Sequence, residues 1–362
     1  MWLPMFRSEC GSADRRRKRF RSIEEAVNLR GGMKIRFAKM YTVTLTVLLA
    51  LLQGTAFAGM QNQPPQLANK RVLWLGDSIT QAGDYVSFVE YYLEKQYPTD
   101  KFDMVSIGLA SETTSCLSEK THPFPRPCVQ ERLQRALTLV KPQVVVACYG
   151  MNDGIYHPQS AERMQAFEQG IEKVIAAVHA YGAQMVLLTP PPFDRLPVKQ
   201  LAGKDAADFG FMTPYEGYDS VLADYARWEM QLPKNEATVI DLHSPIHAYL
   251  AEQRKTEPAF SFAVKDGIHP NASGHLLMAQ IVLKGLGVPV ASGNLQAELV
   301  KIQSDPLYTL IKEQREARSS GWLKYVGYTR GETVKADSVE DVEKANAALQ
   351  GRIDAIRMQQ VR

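Results

Sequence analysis

Ser78 lies in Gly76-Asp77-Ser78-Ile79-Thr80, directly after the apolar run Arg71-Val72-Leu73-Trp74-Leu75. A serine where a strand turns into a helix presents its hydroxyl at the strand's end. That hydroxyl is a weak nucleophile at neutral pH and needs a base. Asp266-Gly267-Ile268-His269, far downstream, offers one, with a carboxylate three residues earlier to orient the imidazole and stabilise its cation. The residue types and their order, Ser then Asp then His, point to nucleophilic acyl transfer. Ser78 would attack, His269 would move the proton, and Asp266 would hold the ring. The serine's context is Gly-x-Ser-x-Thr, so the Gly-x-Ser-x-Gly elbow is absent.

The elements that must position these groups follow from hydropathy. Apolar strands are expected at 71–75, 102–107, 143–149, 184–189 and 237–242. Helical patterns alternate with them near 84–97, 128–140, 160–181, 214–231, 244–254 and 272–286. Continuously apolar strands between helices imply a parallel sheet covered on both faces. The expected fold is a three-layer, flavodoxin-like α/β domain with a helical C-terminal extension. Ligands then bind beyond the carboxyl ends of the strands.

Two more stretches fall on that same edge. Ser106-Ile107-Gly108-Leu109-Ala110-Ser111-Glu112-Thr113-Thr114 follows the second strand, and Tyr149-Gly150-Met151-Asn152-Asp153 follows the third. With Gly-Asp-Ser and Asp-x-x-His they make four blocks in order, across roughly residues 71 to 287. In these blocks the chain resembles the SGNH, or GDSL, esterase/lipase family. The resemblance implies Ser78 as nucleophile and an oxyanion hole of the Ser78 N–H, the Gly108 N–H and the Asn152 side chain. It departs at Ser106, where Asn is common, and at Ser111, where a second Gly is common. Asp153 and Asp77 are expected to hold their loops. No cofactor is implied.

The chain has 362 residues, 45% hydrophobic and 22% charged, a globular composition. Met33 to Met40 reads as a basic n-region, Tyr41 to Leu52 as a short apolar h-region, and Ala56-Phe57-Ala58 as a cleavage site. The expectation is a secretory signal cut before Gly59, with residues 1–32 belonging to an over-long start. Of the 42 Lys/Arg and 39 Asp/Glu, 11 and 4 fall in residues 1–58. The rest carries 31 basic against 35 acidic residues, net −4. The basic run Arg15 to Arg19 leaves with the signal, and with it any footprint for nucleic acid. The expected organisation is 1–58 extension and signal, 59–70 linker, 71–288 hydrolase domain and 289–362 helical extension.

Other residues complete the picture. Cys116 and Cys128 flank a Pro-rich loop, and an exported protein could pair them or leave them free. Cys148 reads as a core residue. His243-Ser244-Pro245-Ile246-His247 sets two histidines four apart but lacks the Glu of a zinc protease motif, so no metal site is expected. Asn271-Ala272-Ser273 fits a glycosylation sequon. The loops after strands two and four offer His122, Arg126 and Phe193 as substrate contacts. Leu295 to Arg318 reads as a charged helix, Gly321 to Tyr328 as an aromatic segment, and Val339, Val342, Leu349, Ile353 and Ile356 as an apolar helical stripe. That tail could pack on the hydrolase domain, pair with a second copy or cover the site.

The combined expectation is an exported serine esterase acting on small esters or acylated saccharides, with O-acetyl groups on carbohydrates preferred. It needs no metal and keeps no stable membrane insertion once the signal is cut. Lipid esters, lysophospholipids and thioesters are the enzymatic alternatives. A noncatalytic carbohydrate-binding or cell-surface protein is the alternative of another class.

Overall fold

The computed structural model describes residues 66–290, 293–334 and 338–360. The expected signal and cleavage site lie outside the described residues. Five parallel strands form one sheet: β1 (Lys70–Gly76), β2 (Phe102–Ser106), β3 (Val144–Cys148), β4 (Gln184–Leu188) and β5 (Thr238–Ile240). Their spatial order is β2-β1-β3-β4-β5. Val144-Val145-Val146-Ala147-Cys148 is buried throughout, as a central strand covered on both faces must be. Pairing sets Gly76 of β1 beside Cys148 of β3, and Trp74 beside Ser106 of β2. The chain segments bearing Ser78, Gly108 and Asn152 therefore leave the sheet at one edge.

The helices that accompany this sheet are α1 (Ser78–Ala82), α2 (Asp84–Gln96), α3 (Val129–Val140), α4 (Ala161–Tyr181), α5 (Tyr218–Glu229), α6 (His243–Gln253) and α7 (Ala272–Gly285). Local chemistry explains several boundaries. The Ser160 hydroxyl caps α4 by accepting from the Arg163 N–H, and Gly182 ends it with φ 90°. The Asn271 side chain caps α7, accepting from the Gly274 N–H, while its own amide donates to the Ser261 carbonyl. The sequon asparagine is thus built into a helix start. The helix expected from 214 begins at Tyr218, because 213–217 forms turns around Gly217.

The C-terminal segment differs most from expectation. The charged stretch is two helices, α8 (Leu295–Gln303) and α9 (Pro306–Val326), broken where Asp305 caps Pro306 at the first helical position. The aromatic segment is mostly the last turns of α9. A short hairpin follows, β6 (Tyr328–Arg330) and β7 (Glu332–Val334), and then α10 (Glu340–Gln360). Pro64–Arg362 forms one compact unit.

This C-terminal segment packs on the helices and edge strand of the five-stranded sheet. Tyr308 stacks on Phe88 with ring centroids 4.8 Å apart. Arg315 donates to the Ser87 hydroxyl at 2.9 Å. Arg318 pairs with Asp103 at 2.7 Å and donates to the Met104 carbonyl at 2.9 Å. That last bond satisfies backbone on β2, the edge strand, and shields it from pairing with another chain. Among the described residues no helix is long and apolar enough to cross a membrane.

Ile311 of α9 is fully buried in the common core. Ile311→Ala should cost about 2–5 kcal/mol of stability. Urea unfolding followed by tryptophan fluorescence should show one transition with a lowered midpoint. An unmoved main transition beside a separate weak one would mean that the extension folds on its own.

Candidate active site

Ser78 opens α1, whose cap is Asp77. The Asp77 carboxylate accepts from the Ile79 N–H at 2.9 Å. Gly76 is required just before it, because a Cβ there would lie 2.2 Å from the Thr80 hydroxyl and 2.7 Å from the Cys148 carbonyl. Burial pushes the Asp77 pKa up to about 7.

His269 arrives from the loop before α7. Its Nε2 is 2.8 Å from the Ser78 Oγ, and its Nδ1 is 2.7 Å from the Asp266 Oδ2. The Asp266 Oδ1 accepts from the backbone N–H groups of Ile268 and His269 at 2.8 and 3.0 Å. Gly267 between them has φ 72°, in the left-handed region, and a Cβ there would lie 2.3 Å from the Asp194 carbonyl. The Asp266 hydrogen bond is the main cause that raises the His269 pKa, outweighing its partial burial. Burial of Asp266 acts to raise its pKa, but the hydrogen bonds it accepts dominate and hold it low. Asp266 thus stays ionised beside an imidazole made more basic.

Gly108 packs against the first turn of α1. A Cβ there would lie 2.3 Å from the Gln81 nitrogen and 2.9 Å from the Asp77 carbonyl, so only glycine lets this loop approach. Among the described residues neither the Ser78 nor the Gly108 N–H has an internal partner. Asn152 is buried, and its amide is oriented from both ends. The Tyr156 hydroxyl donates to its Oδ1 at 2.9 Å, and its Nδ2 donates to the Glu112 carbonyl at 3.3 Å. One Nδ2 hydrogen remains for a ligand.

The supporting residues are the ones the sequence concealed. The Glu112 carboxylate is buried against the Nε and Nη2 of Arg132, each at 2.6 Å, and the Tyr149 hydroxyl at 2.6 Å. Tyr156 stands at φ 61°, beside Ile155 at 46°. Ser111, where a glycine is common, is left-handed too, at φ 69°. Its hydroxyl bonds His122 Nε2 at 3.2 Å. Ser106, where Asn is common, reaches the Thr80 carbonyl at 3.4 Å. Cys116 and Cys128 form a disulfide that closes the loop carrying His122 and Arg126.

Two expected substrate contacts need correction. The Arg126 side chain is only 2% exposed, and its guanidinium is held by both Glu119 oxygens at 2.6 Å. It lies over the Tyr156 ring, 5.4 Å from its centroid, and so braces the tyrosine that orients Asn152. Phe193 is 2% exposed and packs edge-on to Tyr218 at 5.9 Å. It supports the loop at Gly267 from beneath. His122 is half-buried, between Phe124 and Phe211.

The sequence model of the GDSL-like Lipase/Acylhydrolase family matches residues 74–277. The chain belongs to that family. It is therefore a hydrolase of ester bonds, and the site just described lies within the matched region. No curated protein matches the chain. Among solved structures, a gut microbial diltiazem-metabolizing enzyme aligns with a TM-score of 0.51 and 21% identity, over 63% of this chain and 49% of that one. The chain spans about half the length of that relative. An acetylxylan esterase from Geobacillus stearothermophilus aligns with a TM-score of 0.46 and 19% identity, over 62% of this chain and 98% of the other. At such identities the first of these likenesses is one of fold.

Tyr156→Phe frees the Asn152 amide to rotate. We expect kcat to fall about tenfold with little change in KM, a fraction of the 10²–10³ loss expected for Asn152→Ala. Steady-state kinetics on a chromogenic acetate ester checks both variants.

The pH dependence follows from the His269 shift. The base must be neutral, and its pKa is raised, so kcat/KM should fall as pH drops through a midpoint above about 6.5. Asp266→Asn removes the main cause of the shift. Its acid limb should move to lower pH, with a lower plateau. A limb that stays in place would show that Asp266 does not set the basicity of His269.

Proposed function

We propose that this chain is an exported serine esterase that removes short acyl groups, acetyl above all, from carbohydrates. The observation that carries the catalytic assignment is the unbroken hydrogen-bonded series Ser78 Oγ, His269 Nε2, His269 Nδ1 and Asp266 Oδ2. The Ser78 oxygen attacks the ester carbonyl as His269 Nε2 takes its proton. The tetrahedral oxyanion is held by the N–H groups of Ser78 and Gly108 and the Asn152 amide. His269 returns the proton to the leaving alcohol, and the acyl group stays on Ser78. A water then attacks the acyl-enzyme, again losing a proton to His269. The acid leaves, and the proton goes back to the Ser78 oxygen.

The substrate reading rests on the rim. The Asp266 and His269 side chains are 40% and 39% exposed, so the base is reached from solvent and not from inside an apolar tunnel. Beside the Gly108 loop, His122 packs 4.7 Å from Phe124 and 5.6 Å from Phe211. The hairpin residue Arg330 lies over Phe124 at 4.9 Å and donates to the Ala110 carbonyl at 3.0 Å. Aromatic faces interleaved with hydrogen-bonding groups suit a sugar ring better than a long acyl chain. The disulfide supports export, because such bonds persist in oxidising compartments. The Ala-Phe-Ala sequence before Gly59 supports it as well.

Ser78→Ala should abolish turnover while the protein stays folded. For the parent enzyme, kcat/KM should be greatest for acetyl esters, and acetate should be released from acetylated xylan. A rate that climbs through eight or more acyl carbons, roughly as methylene burial predicts, would replace this reading with lipid esters.

A further inference from the structure

His243 and His247 lie one turn apart on α6, with Pro245 between them. The third donor that the local sequence lacks comes from α5. The Asp219 Oδ1 is 3.3 Å from the His243 Nε2, and the Asp219 Oδ2 is 2.5 Å from the His247 Nε2. One donor atom from each of the three residues lies within 4.8 Å of the others.

We propose that Asp219, His243 and His247 form a binding site for a divalent transition-metal ion of the zinc type. Two imidazole nitrogens and a carboxylate oxygen are a donor set that zinc prefers. Four ligands at 2.0–2.1 Å in a tetrahedron stand about 3.3 Å apart, the spacing already present between Asp219 and His243. His247 need only back away slightly, and its side chain is 52% exposed, which leaves it room to do so. That exposure also gives the ion an entry path and leaves a position for water. The other two donors are pre-set. The His243 side chain is only 8% exposed. Asp219 is oriented by the Phe193 N–H, which donates to its Oδ1 at 2.8 Å, the kind of outer hydrogen bond that fixes a ligating carboxylate.

The ion has a structural role. It joins α5 to α6 and steadies the Phe193 loop, whose next residue, Asp194, donates its N–H to the Gly267 carbonyl at 2.9 Å. Gly267 adjoins Asp266, so the site buttresses the loop that carries the base. It shares no side chain with the Ser78–His269–Asp266 series.

The full chain, stripped with EDTA and desalted, is titrated with ZnCl2 by calorimetry. One equivalent should bind with a Kd of about 1 µM or tighter. Losing an outer partner typically weakens metal binding 10- to 100-fold, so His247→Ala, which removes a ligand, should weaken it by about 100-fold or more. His247→Gln should do the same. His179→Ala, an exposed histidine on α4, should leave it unchanged. ZnCl2 should raise the Tm of the parent and of His179→Ala, but not that of His247→Ala. Absence of saturable one-to-one binding would overturn the proposal. So would binding that His247→Ala leaves intact.

Discussion

A carboxylate denied water must collect its donors from the protein around it, and the loops that carry Gly108 and Asn152 are organised around two such groups. Asp153 accepts from the Thr114 N–H and hydroxyl and the Ser115 N–H at 2.7 to 2.8 Å, and from the Gly150 N–H at 3.0 Å. Burial raises its pKa, and these bonds oppose the rise. Glu112 collects Arg132 and Tyr149 in the same way. Each carboxylate thereby joins the loop after β2 to the loop after β3. Neither loop can shift without leaving a buried charge unpaired, which costs several kcal/mol. Gly108 and Asn152 inherit their relative position from that constraint.

The hydrogen-bonded series of Ser78, His269 and Asp266 is held more lightly. Asp266 and His269 share one short loop and remain partly exposed, so solvent screens their pair. What fixes them is backbone. Two N–H groups reach the Asp266 Oδ1, and the left-handed Gly267 lies where a side chain would strike Asp194. This division suits the chemistry proposed above. The donors that meet a developing charge gain from being rigid and preorganised, whereas the base must exchange protons with water and with the leaving group.

The C-terminal extension belongs to the same unit. It protects the β2 edge through Arg318 and sends Arg330 to the carbonyl of Ala110, two residues beyond Gly108. A groove of about 710 Å³ runs between α9, α10 and the β2 edge, lined by Arg71, Asp103, Arg318, Glu343 and Arg357, and its lining does not include Ser78, His269 or Asp266. The extension thus does two things with one fold: it caps the sheet and sets Arg330 beside the Gly108 loop.

Hydropathy determined the sheet, the order of its elements and the edge from which Ser78, Gly108 and Asn152 leave it, because burial on both faces demands unbroken apolar strands such as Val144 to Cys148. Short motifs determined which residues meet: Ser78 after β1, and Asp266 and His269 in one turn. Those are local properties, written within a few residues of each other. The sequence did not reveal the break at Pro306, the hairpin, or Tyr156 as the residue that orients Asn152. Nor did it reveal that Arg126 would be taken up by Glu119 and Phe193 buried under the Gly267 loop. Asp219 offered no signal at all, since its histidine partners lie on the next helix. Only tertiary structure decides such pairings. A charged or polar side chain carries no mark of its partner, and whether it faces substrate or another residue depends on which surfaces the fold brings together and which it closes to water.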